Sequence, residues 1–187
     1  MILSDRDIIK ALNEKKIKID PLDIKEQVKS VCVDLKLGNE FKLFRINHKS
    51  HIDPSSDNIV DITESVYIED GKHFIVHPNE FVLGVTKETI ELSNDIAARI
   101  DGRSSLARMG IIVHSTAGRV DPGFTGKLTL EISNIGRLPV YIYPGMRFCS
   151  LVFEQISSQV EKDYKSIGKY SGFEKPMETR IHEEFKR

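Results

Sequence analysis

Tryptophan is absent from the 187 residues, and cysteine nearly so: Cys32 and Cys149 are the only two, neither in a CxxC pair nor in a Cys/His cluster. That excludes a disulfide framework and a structural zinc site, and both thiols are expected to pack as small, buried hydrophobes. An excess of either charge is also missing, with 27 Lys and Arg against 28 Asp and Glu. No global basic field therefore recruits nucleic acid or an anionic membrane, and any attraction for phosphate has to be local. Long apolar runs are lacking too. The opening MILSDRDIIKALNEKK is apolar for only two or three residues at a time, too few for a secretory leader or a spanning helix, so a soluble cytoplasmic protein is expected. Nor is there a GxxxxGK[ST] phosphate loop or a GxSxG elbow, so Ser104, His114 and Asp121 do not make a readable hydrolase triad. His73 and His77 have no third ligand nearby in sequence.

What is present reads as one domain over residues 1–187. Ser4 with Asp7, flanked by Leu3 and Ile8, predicts a capped helix over about Asp5 to Asn13, with Ile8, Ile9 and Leu12 as its packing stripe. From Ser30 the chain alternates, Val31, Val33, Leu35 and Leu37 facing one way and Cys32, Asp34 and Lys36 the other, which predicts a strand with one wet or subunit-facing side. Short strand-like runs recur at Glu40 to Arg45, His73 to Val76, Glu80 to Thr86, Ile111 to Ser115, Leu128 to Ser133, Val140 to Tyr143 and Arg147 to Gln155. Between them stand turn residues such as Asp121-Pro122-Gly123 and Pro144-Gly145. This punctuation predicts an all-β barrel or sandwich. His48 to Ser56 reads as a loop. Lys162 to Arg187, charged and broken by glycine but carrying Tyr164, Tyr170 and Phe173, reads as a C-terminal arm that orders over a ligand or a neighbouring subunit.

The chemistry concentrates between Gly102 and Asn134. Arg103, Ser104, Ser105 and Arg108 fall within six residues, so hydroxyl, guanidinium and helix-start N–H donors can converge on phosphate oxygens; a capped surface turn with solvated arginines is the bland alternative. Asp121, in GRVDPGF, either bonds its own turn or accepts from a sugar hydroxyl. Glu131, in TLEIS, shares a strand face with Thr129 and Ser133. An idle carboxylate among apolar neighbours is costly, so it serves either as a general base, its pKa raised toward neutrality by partial burial, or as half of a buried Glu-Arg pair.

DGRSSLARMG, VHSTAGRVDPGFTGKLTLEISN and LPVYIYPGMRF, with SDRDI and VDLKLGNEF before them and KYSGFEKP after, resemble the ordered blocks of the dCTP deaminase family. The resemblance implies a mainly β, dUTPase-like fold (a β-barrel or β-clip) with a few short helices. It also implies a homotrimer with active sites at subunit interfaces, and Mg2+ carried on the nucleotide triphosphate, with no zinc. By the same resemblance Glu131 is the base that activates water for attack on cytosine C4, Ser104 and the Ala117 carbonyl hold that water, and Arg108 stabilises charge beside Glu131. Arg103, Ser105, Tyr164 and Lys169 grip the triphosphate. Asp121 takes the deoxyribose, and the backbone of Thr129, Leu130 and Glu131 reads the base; Leu106, Ala107 and Arg119 complete the substrate site. Zinc-dependent cytidine deaminases need an HxE and PCxxC set that this chain lacks. Substrate and product would be dCTP and dUTP, with dTTP a candidate feedback inhibitor.

Two features depart from the family pattern. Phe173 and Glu174 stand where members commonly carry a phosphate-contacting glutamine, and a carboxylate there repels phosphate unless it turns away. The TAG turn at Gly118 resembles members that go on to dUMP and pyrophosphate, whereas Arg119 and Ser150 resemble members that stop at dUTP, which is the branch expected here. A non-catalytic nucleotide-binding trimer is the rival of another class.

Overall fold

Local signals place the first element. Ser4 caps α1 (Asp5–Asn13), its hydroxyl accepting from the Asp7 N–H, and Leu3 and Ile8 are both buried, as a hydrophobic staple requires. Ile9, expected in the packing stripe, is exposed and Ala11 is buried in its place. At 100° per residue Ala11 and Leu12 share a face with Ile8, and Ile9 does not.

The computed structural model describes residues 1–45, 51–55 and 62–185. Beyond α1, the described strands in chain order are β1 (Ile17–Asp20), β2 (Val33–Lys36), β3 (Glu40–Phe44), β4 (Thr63–Tyr67), β5 (Phe74–Val76) and β6 (Phe81–Leu92). They continue with β7 (Ile96–Gly102), β8 (Ile111–Ile112), β9 (Arg119–Val120), β10 (Thr125–Asn134), β11 (Val140–Ile142) and β12 (Arg147–Gln155). Single-turn helices α2 (Ile24–Gln27), α3 (Ser104–Ala107) and α4 (Tyr164–Ile167) complete a mainly β domain. Of the expected loop from His48 to Ser56, residues 51–55 carry neither strand nor helix, and the remainder lies outside the described residues.

All described pairings are antiparallel. The largest sheet runs β4-β3-β6-β10-β8, with β1 also on β6; a second runs β2-β12-β7-β9, and β5 pairs β11. β6 is the spine of the first, paired with β10 from Glu91 opposite Thr125 to Phe81 opposite Ser133. This register, with that of β3, sets Lys42, Leu83 and Glu131 in one cross-strand row. Phe41, Leu130, Ile132, Phe148 and Phe153 are fully buried in one core shared by the sheets, each such side chain contributing about 1.5–3 kcal/mol over its exposed state.

β2 differs from its expected half-wet character. Val31 is exposed and precedes the strand, while Asp34 is only 4% exposed. Its carboxylate accepts from Ser150 Oγ at 2.8 Å and faces the guanidinium nitrogens of Arg103 and Arg147 at 3.4 and 3.5 Å. Gln27 covers the same strand, donating to the Asp34 carbonyl and to the buried Glu88 carboxylate, both at 2.8 Å. The polar side of the strand is thus satisfied within the chain, as buried polar groups must be. Cys149 is buried, but Cys32 is partly exposed, a correction to the expectation of two buried thiols.

The arm docks on the body of its own chain. The Tyr164 N–H donates to the Pro122 carbonyl at 2.9 Å, Gly172 N–H to Thr125 at 2.7 Å, and Lys127 N–H to Phe173 at 2.9 Å. Two glycines permit this approach. Gly123 has φ 81°, and a Cβ there would meet Asp163 Cβ at 2.7 Å; at Gly126 (φ 135°) it would stand 3.0 Å from the Phe173 carbonyl oxygen.

Candidate active site

A cavity of about 420 Å³ opens between β10, the loop before β9, and the arm. Along β10, Thr125, Lys127, Thr129, Glu131 and Ser133 are half-buried and the residues between them buried, so Glu131 does share its face with Thr129 and Ser133. Glu131 and Thr129 line the cavity together with Ala117, Arg119, Asp121 and Tyr164. Six of the residues singled out from the sequence therefore meet in one place.

Among the described residues of the chain itself, neither bland alternative is made. No hydrogen bond or ion pair among the described residues engages the Glu131 carboxylate, so it is not half of a Glu-Arg strut within this chain. Asp121 closes its turn through its carbonyl, which accepts from the Phe124 N–H at 3.2 Å, leaving the carboxylate on the cavity wall. Tyr164 packs its ring 5.7 Å from that of Phe124. Burial foremost, and the neighbouring charge of Asp121, push its hydroxyl pKa up, which keeps it a hydrogen-bond donor.

The α3 group lies elsewhere. Arg103, Ser104, Ser105, Ala107 and Arg108 do not line the cavity. Ser104, Ser105, Ala107 and Arg108 are exposed, and no side-chain hydrogen bond or ion pair among the described residues holds the two serines or Arg108. Arg103 is half-buried, donating to the Arg147 carbonyl at 2.8 Å beside Asp34. Leu106 is 2% exposed and is the apolar anchor of α3, and Leu130 points into the core, so both can offer a ligand only backbone. Lys169 sits in a neighbouring hollow, paired with Glu184.

Tyr170 and Phe173 of the arm also line the cavity, and several wall residues were not anticipated: Phe44, Phe81 and Met177, with Phe173, make the cavity largely apolar, and Lys127 and Glu178 add charge. Phe44 and Phe81 pack with ring centroids 5.5 Å apart. Both imidazole nitrogens of His114, on the same wall, are buried without a hydrogen-bond partner among the described residues, which marks a place for a ligand or water. Glu174 turns away from the cavity and lies 3.7 Å from Lys127 Nζ, 61% exposed; Phe173 takes the wall position, with Arg180 over its ring at 5.8 Å. Among the described residues no three His, Cys, Asp or Glu side chains gather as a metal site, and the His73 ring stacks on Tyr141 at 4.0 Å. No described helix is long and apolar enough to cross a membrane.

Known proteins share this chain almost from end to end. Residues 2–156 match the family described as dCTP deaminase-like. A protein of Dictyoglomus turgidum named "dCTP deaminase, dUMP-forming" is 50% identical, the match spanning 99% of this chain and 97% of that one. One of the same name from Methanosphaera stadtmanae is 47% identical over 98% and 95% of the two chains, and a Thermomicrobium roseum protein named "dCTP deaminase" is 46% identical over the same shares. Among solved structures, 2'-deoxycytidine 5'-triphosphate deaminase from Agrobacterium tumefaciens superposes with a TM-score of 0.64 at 22% identity, over 82% of this chain and 47% of that chain. At that identity the likeness is one of fold. With blocks, cavity and relatives in agreement, the chain belongs to the dCTP deaminase-like family.

Proposed function

We propose that this protein deaminates dCTP and carries the product on to dUMP and pyrophosphate. The first step is supported best by the convergence of Glu131, Ala117, Arg119, Asp121 and Tyr164 on one largely apolar cavity, with a carboxylate that no other group among the described residues engages; the second step, in place of the expected release of dUTP, is supported by the relatives named "dCTP deaminase, dUMP-forming". In the first step Glu131 takes a proton from water held near the Ala117 carbonyl, and the hydroxide adds to cytosine C4. The proton passes through Glu131 to the leaving amine, the C4–N bond breaks, and ammonia and dUTP form. General-base transfer contributes about 10²- to 10⁴-fold, and oriented dipoles at the developing charge supply the rest. In the second step a water held by Asp121 attacks the α-phosphate and pyrophosphate leaves. Across both steps two waters are consumed, and dUMP, ammonia and pyrophosphate are released.

Triphosphate binding would fall to Arg103, Ser105, Tyr164 and Lys169, with Mg2+ arriving as part of the substrate. The two separate clusters on one chain support a homotrimer in which Ser104 and Arg108 of one subunit complete the cavity of the next. Met109, Ile135 and Leu138, exposed at 50%, 70% and 76%, flank α3 and are apolar surface suited to such a contact. A second reading, release of dUTP without cleavage, is favoured by Arg119 and by Ser150, whose hydroxyl is engaged by Asp34. Incubation with dCTP and Mg2+, following ammonia, dUTP, dUMP and pyrophosphate together, separates the two. Ammonia and pyrophosphate in equal amounts are expected; accumulating dUTP establishes the second reading, and nucleotide binding without any product establishes a non-catalytic binder.

A further inference from the structure

The arm carries one buried ion pair that the reaction does not use. Glu178 is 6% exposed although its neighbours Lys175 and Thr179 are exposed. Its carboxylate pairs with the ammonium of Lys42 on β3, 136 residues away, and accepts from Thr63 Oγ1 on β4 at 2.6 Å. Lys42 is itself 17% exposed at the side chain. Both partners stand on the sheet face that carries Glu131: Lys42 is in register with Leu83, and Leu83 with Glu131, two strands or about 10 Å away. Burying two charges in this way is expensive and adds little net stability, but it specifies one arrangement sharply, because neither partner tolerates the loss of the other. The arrangement it specifies is the arm across the cavity. One residue before Glu178, the Met177 N–H donates to Thr129 Oγ1 at 3.3 Å, and Met177, Glu178 and Phe173 together form the cavity wall.

We propose that Glu178 is a positioning residue. Docked between Lys42 and Thr63, it clasps the arm so that Phe173 and Met177 wall in the space over Glu131, and its release opens the way for nucleotide entry and product exit. This role rests on the cavity being the nucleotide site.

The test uses the full-length protein and two single variants, Glu178→Gln and Lys42→Met, with the double variant Lys42→Met/Glu178→Leu, in which an apolar pair replaces the charges. Trypsin cleavage after Lys169 and Arg180 without nucleotide reports the open population. In both single variants cleavage is expected to be about tenfold faster or more. The dCTP KM should rise by a similar factor with kcat no lower and the unfolding midpoint in place, and the double variant should regain protection. Unchanged cleavage in both singles overturns the clasp, as does cleavage accelerated throughout the chain together with a lowered midpoint. Faster arm cleavage with an unchanged KM overturns its role at the site. Should wild-type protein not turn over dCTP, the proposed reaction fails, and cleavage still decides the clasp.

Discussion

If neighbouring subunits share each site, two inactive proteins should rescue one another. Glu131→Gln removes the proposed base from the cavity, and Arg108→Ala removes a guanidinium that lies outside it and has no partner among the described residues of its own chain. Each variant alone is expected to lose on the order of 10²- to 10⁴-fold in ammonia release. In trimers assembled at random from equal amounts, a site is intact when its cavity comes from an Arg108→Ala chain and its α3 from a Glu131→Gln chain. Each condition holds half the time, so about a quarter of the sites in a cyclic oligomer are whole. Co-refolded or co-expressed mixtures should thus release ammonia from dCTP at about a quarter of the wild-type rate, far above either parent. A mixture no faster than the mean of its parents refutes the shared site and returns Arg108 to the cavity of its own chain.

Other perturbations probe the supports. Arg103→Ala should raise the dCTP KM and lower the unfolding midpoint together, because it also strips Asp34 of one of its two guanidinium neighbours; Arg103→Lys should recover more of the midpoint than of the KM, since lysine keeps the charge but not the fork. An unchanged KM in both removes Arg103 from phosphate binding. Asp95 is held at a pKa of about 2, first by hydrogen bonding to Lys16 and then to Ser93. A carboxyl depressed on folding stabilises above its unfolded pKa and loses that contribution as pH falls through the folded value. Wild-type protein should exceed Asp95→Asn by about 1–2 kcal/mol at neutral pH, the gap closing between about pH 4 and pH 2 in denaturant titrations. A gap that persists at pH 2 contradicts the assignment.

Features encoded over short distances were legible in the sequence. The Ser4 cap, the alternation that puts Glu131 with Thr129, and the Asp121 turn each need only neighbouring residues. β7 escaped notice because Ala97 and Ala98 are both buried, so burial on its two faces erases the alternation. β4 escaped because TESVY is a largely exposed strand at the sheet edge with little apolar signal. Asp34 was read as wet because the arginines and Ser150 that bury it come from sequence more than 65 residues later. The Glu178 clasp joins a charged tail to strands over 100 residues earlier, and nothing in KPMETR signals that. The separation of α3 from the cavity within the chain was not legible in the residues, since a contiguous motif gives no sign that the fold will part its two halves.

The most direct test of the central claim is dCTP turnover by Glu131→Gln beside dCTP binding to the same variant. Loss of ammonia release by about 10²-fold or more, with dCTP affinity within a few-fold of wild type, is the expected result for a general base. Ammonia release near the wild-type rate would contradict the account, because, of the other carboxylates on the described cavity wall, Glu178 is paired with Lys42 and Asp121 is assigned to the second step.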